Sequence, residues 1–360
     1  MPEIFRPLLC CSIAAVFASA CASPRINDTN RLPSDVPSVD ADVALNSDSQ
    51  TRSTVTPQVG DNKFSVTDKT VTVSSPTRQG QLEFAELTEV SGLAASHRHD
   101  DVLWAINDSG NDAVLYALDA QGKHLGKWPV AIDNRDWEDL ASIWYNGDAY
   151  LLIAETGDNL RNYSEYKIHI VQEPLLDGSQ DTLDPLATLS YRYSDGQHNV
   201  EALDVIDDSI ILISKEPLAG NTHSPGKVYS LPLALESNTR LLEARYLTTL
   251  AAQNASVETR LAAALARVSL NNVTALDFDN VKRIAYLLTY RQVIKLPLPD
   301  STDNSIDALS ASLSQRGSIL YRHDLRQAEA LAVDNRGQVW LTSEKAGAPL
   351  WVLPAAEILD

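Results

Sequence analysis

Short apolar segments recur in a regular order beyond residue 88. A six-residue motif with leucine at its fourth position starts at Val90, Trp137, Val200, Val273 and Ala328. Each copy is followed by a turn, a second apolar segment and a third segment rich in Val, Ile, Leu and Tyr. Apolar runs of this length between turn residues predict β-strands. Repeated units of three or four short strands predict an all-β chain folded as a β-propeller.

The repeat also predicts the number of blades and the closure of the ring. Five motif copies indicate five blades. A sixth blade has room only between the third and fourth units, where the Ala- and Leu-rich pattern of Val257–Val268 predicts a helix instead. The last unit ends at Asp360 without space for a fourth strand. We expect Gln81–Leu87 to supply that strand, because closing the ring removes exposed sheet edges.

The first residues have the pattern of an export signal. Arg6 precedes the apolar run Leu8–Phe17, which is too short to span a bilayer. The sequence Ala18-Ser19-Ala20-Cys21 then resembles the cleavage box of bacterial lipoproteins. This resemblance implies that residues 1–21 are a signal peptide and that Cys21 becomes the acylated N-terminus. An ordinary signal peptide, cut after a small residue, is the alternative.

The lipoprotein resemblance also implies a compartment. Residue 22 is alanine rather than aspartate, which by the usual sorting pattern implies the outer membrane, with the protein facing the periplasm. The lipid bilayer is then a partner through the acyl chains of Cys21, since several chains on one residue anchor stably. All three cysteines lie within the first 21 residues, so no disulfide is expected in the folded part.

Residues 22–80 differ in composition from the repeat region. They are rich in Ser and Thr, contain several prolines, and have Phe64 as their one aromatic residue. Such a segment buries too little apolar surface to offset its chain entropy, so we expect a disordered tether. The propeller domain is expected to occupy residues 81–360.

The charge of the chain excludes one class of partner. There are 48 acidic and 29 basic residues, for a net charge of -19. Non-specific binding to nucleic-acid phosphates requires an excess of Lys and Arg, so we expect no nucleic-acid partner. An acidic protein of this kind attracts cations or cationic ligands.

The second position of the motif is the first candidate for chemistry. It is occupied by Ser91, Glu138, Glu201, Thr274 and Glu329. In a propeller these positions surround the central channel, and three converging carboxylates repel one another unless a cation or a proton neutralises them. Glu138, Glu201 and Glu329 are therefore predicted metal ligands, with calcium as the cofactor because it prefers oxygen ligands. Alternatively, these glutamates line a wet channel or bind loop amides without a metal.

The ends of the second strands are the second candidate. Rigid β scaffolds usually carry functional groups in such loops. The predicted ligand-binding residues here and in the loop before the second motif are Asn107, Asp108, Arg135, Asp158, Asn159, Lys215, Glu216 and Glu344. Arg135 and Lys215 are possible anion contacts. The alternative is that these are ordinary turn sequences whose side chains cap their own backbone.

Several catalytic patterns are absent from the sequence. There is no Gly-x-Ser-x-Gly elbow, and Ser109 has no histidine beside it in sequence. Neither a His-Glu-x-x-His motif nor a cysteine pair suited to zinc is present.

The order of motifs resembles a known family. The succession SGLAAS, WAINDSG, NRDWEDLA, ETGDN, NVEALDV, SKEP, VTALDF, LTYR, AEALAV and TSEK is similar to an uncharacterised family of exported bacterial β-propeller lipoproteins, over residues 88–353. More distantly, a propeller with an axial ring of acids is similar to calcium-dependent lactonases, phytase-type propellers and their esterase-like relatives. Ser91 and Thr274 interrupt that acidic ring, and five blades differ from six.

Three functions are compatible with these observations. The converging acids favour an envelope-anchored lipoprotein propeller that binds calcium and a small ligand at its central channel. One alternative is a metal-dependent hydrolase of a phosphoester, lactone or ester. The other is a non-catalytic protein- or glycan-interaction module, which the lack of a recognisable nucleophile or histidine base favours.

Overall fold

The computed structural model describes residues 76–179, 181–219, 222–252 and 271–354. The predicted signal peptide, Cys21, the tether up to residue 75 and the helix predicted over Val257–Val268 lie outside these residues. Within the described ranges, no helix is long and apolar enough to cross a membrane.

The described strands form four-stranded antiparallel units. Strand β1 (Thr77–Gln81) comes first and belongs to the last unit. Blade 1 contains β2 (Val90–Ala95), β3 (Val102–Asn107), β4 (Val114–Asp119) and β5 (His124–Pro129). Blade 2 contains β6 (Trp137–Tyr145), β7 (Asp148–Glu155), β8 (Tyr166–Gln172) and β9 (Ala187–Tyr193).

The remaining blades follow the same order. Blade 3 contains β10 (Val200–Ile206), β11 (Ser209–Ser214), β14 (Lys227–Pro232) and β15 (Leu242–Thr249), with the short pair β12 (Leu218–Ala219) and β13 (Thr222–His223) between β11 and β14. Blade 4 contains β16 (Val273–Asp279), β17 (Ile284–Thr289), β18 (Gln292–Pro297) and β19 (Ser318–Arg322), with helix α1 (Ile306–Leu313) before β19. Blade 5 contains β20 (Ala330–Val333), β21 (Val339–Thr342), β22 (Pro349–Leu353) and β1.

The first strands of the blades form the inner ring. Around the ring, β2 contacts β6, β6 contacts β10, β10 contacts β16, β16 contacts β20, and β20 contacts β2. This closed order among the described strands is that of a β-propeller, and the predicted all-β propeller fold is confirmed. Blades 2 and 3 are also joined at their outer edges, where β9 and β15 pair in parallel.

The inner and second strands are apolar because neighbouring blades cover both of their faces. Every residue of β2, β3 and β10 is buried. Large side chains fill the space between blades 1 and 2, where Trp104 of β3 and Trp128 of β5 cluster with Trp137 of β6. The rings of Trp104 and Trp128 pack edge-on at a centroid distance of 5.5 Å. The apolar core therefore lies between the sheets.

An N-terminal strand closes the ring, but it is not the predicted segment. Strand β1 pairs with β22 from Thr77 opposite Val352 to Gln81 opposite Pro349. The predicted strand Gln81–Leu87 is therefore corrected to Thr77–Gln81. The physical reason is that the apolar side chains of residues 82–87 are buried between blades 1 and 5 rather than arranged along a strand.

Three aspartates link neighbouring inner strands, and we call them the bracing aspartates: the buried Asp139 and Asp204 and the half-buried Asp277. The backbone N–H groups that donate to them, at 2.8, 2.6 and 2.8 Å, are those of Leu203, Phe278 and Val333 respectively. Each bond passes from one blade to the next. Burial raises the pKa of all three carboxyl groups well above the ordinary value.

Candidate metal centre

Strand register brings the two sets of candidate residues to one face. Trp137, at the start of β6, is opposite Glu155 at the end of β7, and Val200 of β10 is opposite Ser214 of β11. The inner strands therefore begin where the second strands end. We call this end of the channel the upper face, and the opposite end the lower face.

Three carboxylates converge on the upper face: Asp108, Asp136 and Glu138. One oxygen of each lies within 4.8 Å of the others. Asp108 follows β3, Asp136 precedes β6, and Glu138 is the second residue of β6. Oxygens that bind one Ca²⁺ at about 2.4 Å can be at most about 4.8 Å apart, so this spacing is compatible with a shared ion. We call these residues the acidic cluster.

One oxygen of the acidic cluster has no partner. Glu138 is only 6% exposed. Its Oε1 atom is buried and accepts no hydrogen bond from any described residue. A buried carboxylate oxygen without a donor is costly unless a cation or a proton compensates it. Oε1 of Glu138 is therefore an unpaired hydrogen-bond acceptor at the buried end of the cluster.

The pKa values of all three carboxyl groups of the cluster are raised. Burial raises the pKa of Glu138 well above its ordinary value, and the neighbouring carboxylates Glu201, Asp108 and Asp136 raise it further. Burial likewise raises the pKa of Asp136 to about 6. Burial also raises the pKa of Asp108 above its ordinary value. A divalent cation would remove this mutual repulsion.

A glycine forms one wall of the cluster. A Cβ atom on Gly157 would lie 2.2 Å from Oε1 of Glu138 and 2.4 Å from Cγ of Asp136. The backbone N–H groups of Thr156 and Gly157 both donate to the carbonyl of Asp136 at 3.2 Å, which holds the loop against the carboxylates. Any larger residue at position 157 would occupy the space that the three carboxylates share.

The other two predicted metal ligands have a different environment. Nζ of Lys215 donates to Oε2 of Glu201 at 2.7 Å, and the side chain of Asn199 donates to Oε1 at 2.6 Å. Glu201 is thus already paired with a cation of the protein. Of the predicted set Glu138, Glu201 and Glu329, only Glu138 belongs to the acidic cluster. The other two lie beside Lys215, which follows β11.

Glu329 is buried and lies beside the Lys215–Glu201 pair. Burial raises its pKa well above the ordinary value, with Glu201 adding to the effect and Tyr290 opposing it through a hydrogen bond. Burial alone would lower the pKa of Lys215, but Glu201, Tyr290 and Glu329 raise it, so this side chain stays an ammonium. Its Nζ lies 5.4 Å from the ring centre of Tyr290.

The other positions of the motif ring are hydroxyl groups. Oγ1 of Thr274 donates to the carbonyl of Ala328 at 2.7 Å, so this side chain serves the fold. Oγ of Ser91 is buried and has no partner among the described residues. Ser91 is the counterpart of Glu138 on the neighbouring inner strand.

Four candidate ligand residues are hydrogen-bonded to other groups of the fold: Asn107, Asp158, Asn159 and Glu216. Asp158 accepts hydrogen bonds from the backbone of Asn162 at 2.7 Å and from the hydroxyl of Tyr166 at 2.9 Å. Asn107 donates to the carbonyl of Glu86 at 2.7 Å. The bond from Asn162 lies within the turn of Asp158, whereas the bond made by Asn107 reaches the segment before blade 1.

The side chains of Asn159 and Glu216 are also engaged. Oδ1 of Asn159 accepts a bond from the side chain of Asn199 at 3.2 Å. Glu216 accepts a bond from the hydroxyl of Ser214 at 2.6 Å.

Arg135 and Glu344 differ in their relation to the cluster. Arg135 pairs with Glu155 at 3.6 Å and lies over the ring of Tyr163, 4.1 Å from its centre. Glu344 is influenced by the cluster: burial raises its pKa to about 7, and Asp108 contributes to that rise. Glu344 also accepts a hydrogen bond from Gln327.

Asp136 is the one cluster member outside the two predicted sets of site residues. It lies outside the six-residue motif, immediately before its first residue. Its spacing was the available signal. Side chains two positions apart in an extended chain point to the same side, and Asp136 lies two residues before Glu138.

The chain matches no protein-family model, and no curated protein is significantly similar to it. Solved structures with related architecture include the PQQ-bound aldose sugar dehydrogenase from Streptomyces coelicolor, at 11% identity and a TM-score of 0.42, covering 78% of this chain and 98% of that one. A gluconolactonase from Xanthomonas campestris is 15% identical with a TM-score of 0.37, covering 77% and 81%. A nidogen/laminin complex gives 14% identity and a TM-score of 0.37, covering 71% and 73%. At these values the comparisons assign no reaction, ligand or partner to the chain.

Proposed function

We propose that the protein binds a divalent cation, calcium, in the acidic cluster and a small anionic ligand beside it at the upper mouth of the channel. The observation that carries the proposal is the buried, unpartnered Oε1 atom of Glu138 at the meeting point of three carboxylates. Calcium is the expected ion because all three ligands are carboxylates, and the irregular loops carrying two of them suit its flexible coordination.

The anionic ligand follows from the position of Lys215. This ammonium interacts electrostatically with Glu138 as well as with Glu201, so it lies next to the acidic cluster. A bound cation would leave coordination positions for ligand oxygens. A carboxylate or phosphate group could then contact both the cation and Lys215, which charge-assisted hydrogen bonding favours.

The cation site is tested by thermal unfolding of the full chain with Ca²⁺, with Mg²⁺ and with a chelator. Calcium at about 100 times its Kd is expected to stabilise the native state by about 2.7 kcal/mol. The variant Asp108→Asn should lose this response because it removes one of three charged ligands. Glu329→Gln, which lies in the channel but outside the cluster, should keep it. Loss of the response in Glu329→Gln and its retention in Asp108→Asn would refute the cluster.

We also propose that Cys21 anchors the protein to the outer membrane by its acyl chains, with the propeller in the periplasm. The support is the lipobox-like Ala18-Ser19-Ala20-Cys21 after a short apolar run. In bacteria fed radiolabelled palmitate, the natural chain should be labelled and sediment with membranes. Cys21→Ser should be unlabelled and remain in the precursor form. Cys10→Ser is the matched control and should be labelled normally, whereas labelling of Cys21→Ser would contradict the anchor.

A further inference from the structure

The lower face contains a cavity of about 260 Å³ at the opposite mouth of the channel. Every blade contributes to its wall. Its lining includes His97 from blade 1, Ser142 from blade 2, Asp204 from blade 3, Asp277 and Phe278 from blade 4, and Val333 from blade 5. The acidic cluster is at the other end of the inner strands, so this cavity is separate from the proposed calcium site.

A serine and a histidine meet in this cavity. Oγ of Ser142, on β6, lies 2.9 Å from Nδ1 of His97, in the loop after β2. A hydroxyl within hydrogen-bond distance of an imidazole is the arrangement in which histidine activates a serine as a nucleophile. The two residues are 45 positions apart and come from different blades, so only the closed ring brings them together.

The loop carrying His97 is held in place by a buried carboxylate. Glu173 is 2% exposed. Its Oε2 atom accepts the backbone N–H of His97 at 3.3 Å, and its Oε1 atom accepts the hydroxyl of Ser96. Glu173 therefore holds the backbone of the loop at His97, while the imidazole itself is exposed and faces Ser142.

The same cavity is lined by two carboxyl groups, those of Asp204 and Asp277. Burial raises the pKa of both groups well above the ordinary value. A carboxylic acid kept neutral in this way can donate to an oxygen that develops negative charge.

The remaining wall indicates the kind of molecule that would fit. Phe278, Val281 and Val333 are apolar. Asp279 and Asp334 also line the cavity, and they pair with Lys282 and Arg336 respectively. A small ester with an apolar acyl group is compatible with such a wall.

We propose that Ser142 and His97 form a second, metal-independent site that hydrolyses small carboxylic esters. Oγ of Ser142 attacks the ester carbonyl while His97 takes the hydroxyl proton, and the Asp204–Asp277 pair donates to the carbonyl oxygen. The C–O bond to the alcohol then breaks, and His97 returns the proton to the leaving alkoxide. Water, deprotonated by His97, attacks the acyl-serine, releases the acid and restores the free hydroxyl.

The test uses the full chain with p-nitrophenyl acetate and p-nitrophenyl butyrate, in the presence of a chelator. Ser142→Ala is expected to lower kcat/KM at least roughly hundredfold, because it removes the nucleophile. Ser318→Ala is the matched control, since Ser318 is an exposed strand serine outside the cavity. His97→Gln should also lose hydrolysis. A fluorophosphonate should add its mass to the peptide that contains Ser142, and should not do so in the Ser142→Ala variant.

The possible outcomes separate this site from the calcium site. Hydrolysis that persists with chelator and in Asp108→Asn but is lost in Ser142→Ala supports the second site. Hydrolysis that is equal in the natural chain and in Ser142→Ala, or absent from both, overturns it. Hydrolysis lost with chelator but kept in Ser142→Ala would also overturn it, and would place the reaction at the acidic cluster.

Discussion

Replacing Asp139 with alanine is expected to lower the free energy of unfolding by about 3 kcal/mol. Asp139 is fully buried, and its two oxygens accept the backbone N–H groups of Leu140 and Leu203, each at 2.8 Å. Alanine accepts neither bond, and each buried donor left unpaired costs about 1–3 kcal/mol. Chemical denaturation of the purified chain, followed by far-UV circular dichroism, measures the change.

The control for this variant is Asp133→Ala, because Asp133 is exposed in the loop before blade 2. It should change the free energy of unfolding by less than about 0.5 kcal/mol. The free energy of unfolding of Asp139→Asn should lie between those of the two alanine variants. Its single amide oxygen can replace only one of the two carboxyl oxygens that accept backbone N–H groups. An Asp139→Ala variant as stable as the natural chain would show that the brace contributes nothing.

Replacing Gly157 with alanine is expected to abolish calcium binding while leaving the propeller folded. The added methyl group would lie 2.2 Å from Oε1 of Glu138 and 2.4 Å from Cγ of Asp136, so it fills the space between the carboxylates. Gly157 does not have the positive φ that only glycine tolerates well, and the substitution therefore acts on the cluster more than on the backbone. Calcium titration by isothermal calorimetry should show at least roughly a hundredfold loss of affinity, about 2.7 kcal/mol.

Gly147→Ala is the control for general loss of stability. Gly147 has a φ of +87°, and an added Cβ meets nothing within 4 Å, so alanine there strains only the backbone. This variant should melt at a lower temperature yet bind calcium with the natural affinity. Unchanged affinity in Gly157→Ala would mean that the ion lies elsewhere.

The fold was predictable because each blade repeats the same pattern of apolar strands. The closing strand was harder to locate, since Leu82 and Phe84 alternate with polar residues as a strand would. In the structure both side chains are buried in the core between blades 1 and 5. Gly80 belongs to β1 instead, and a Cβ there would lie 2.0 Å from the carbonyl oxygen of Gln121. A close backbone approach of this kind does not change the alternation of apolar and polar residues, so it cannot be seen in the sequence pattern.

The site was predictable only in part for a related reason. Position in the repeat indicated that Glu138, Glu201 and Glu329 converge, but it gave no information on how far Lys215 extends toward two of them. Asp136 lies outside the motif, and its role depends on the path of a loop. The meeting of His97 and Ser142 depends on the angle between two blades, which is a property of the closed ring.

The distribution of the bracing aspartates makes the ring unequal around its circumference. They join blade 2 to blade 3, blade 3 to blade 4 and blade 4 to blade 5, and the described residues include no such brace on either side of blade 1. There the inner strands approach closely at Gly92, where a Cβ would be 2.7 Å from the nitrogen of Leu140. Blade 1 is joined to blade 2 by side chains at the two ends of the channel. Glu173 accepts bonds from Ser96 and His97, and Asn134 donates to the carbonyls of Asn107 and Asp108. Asp108 of the acidic cluster and His97 of the lower cavity both belong to blade 1, so the attachment of this single blade sets the width of both mouths of the channel.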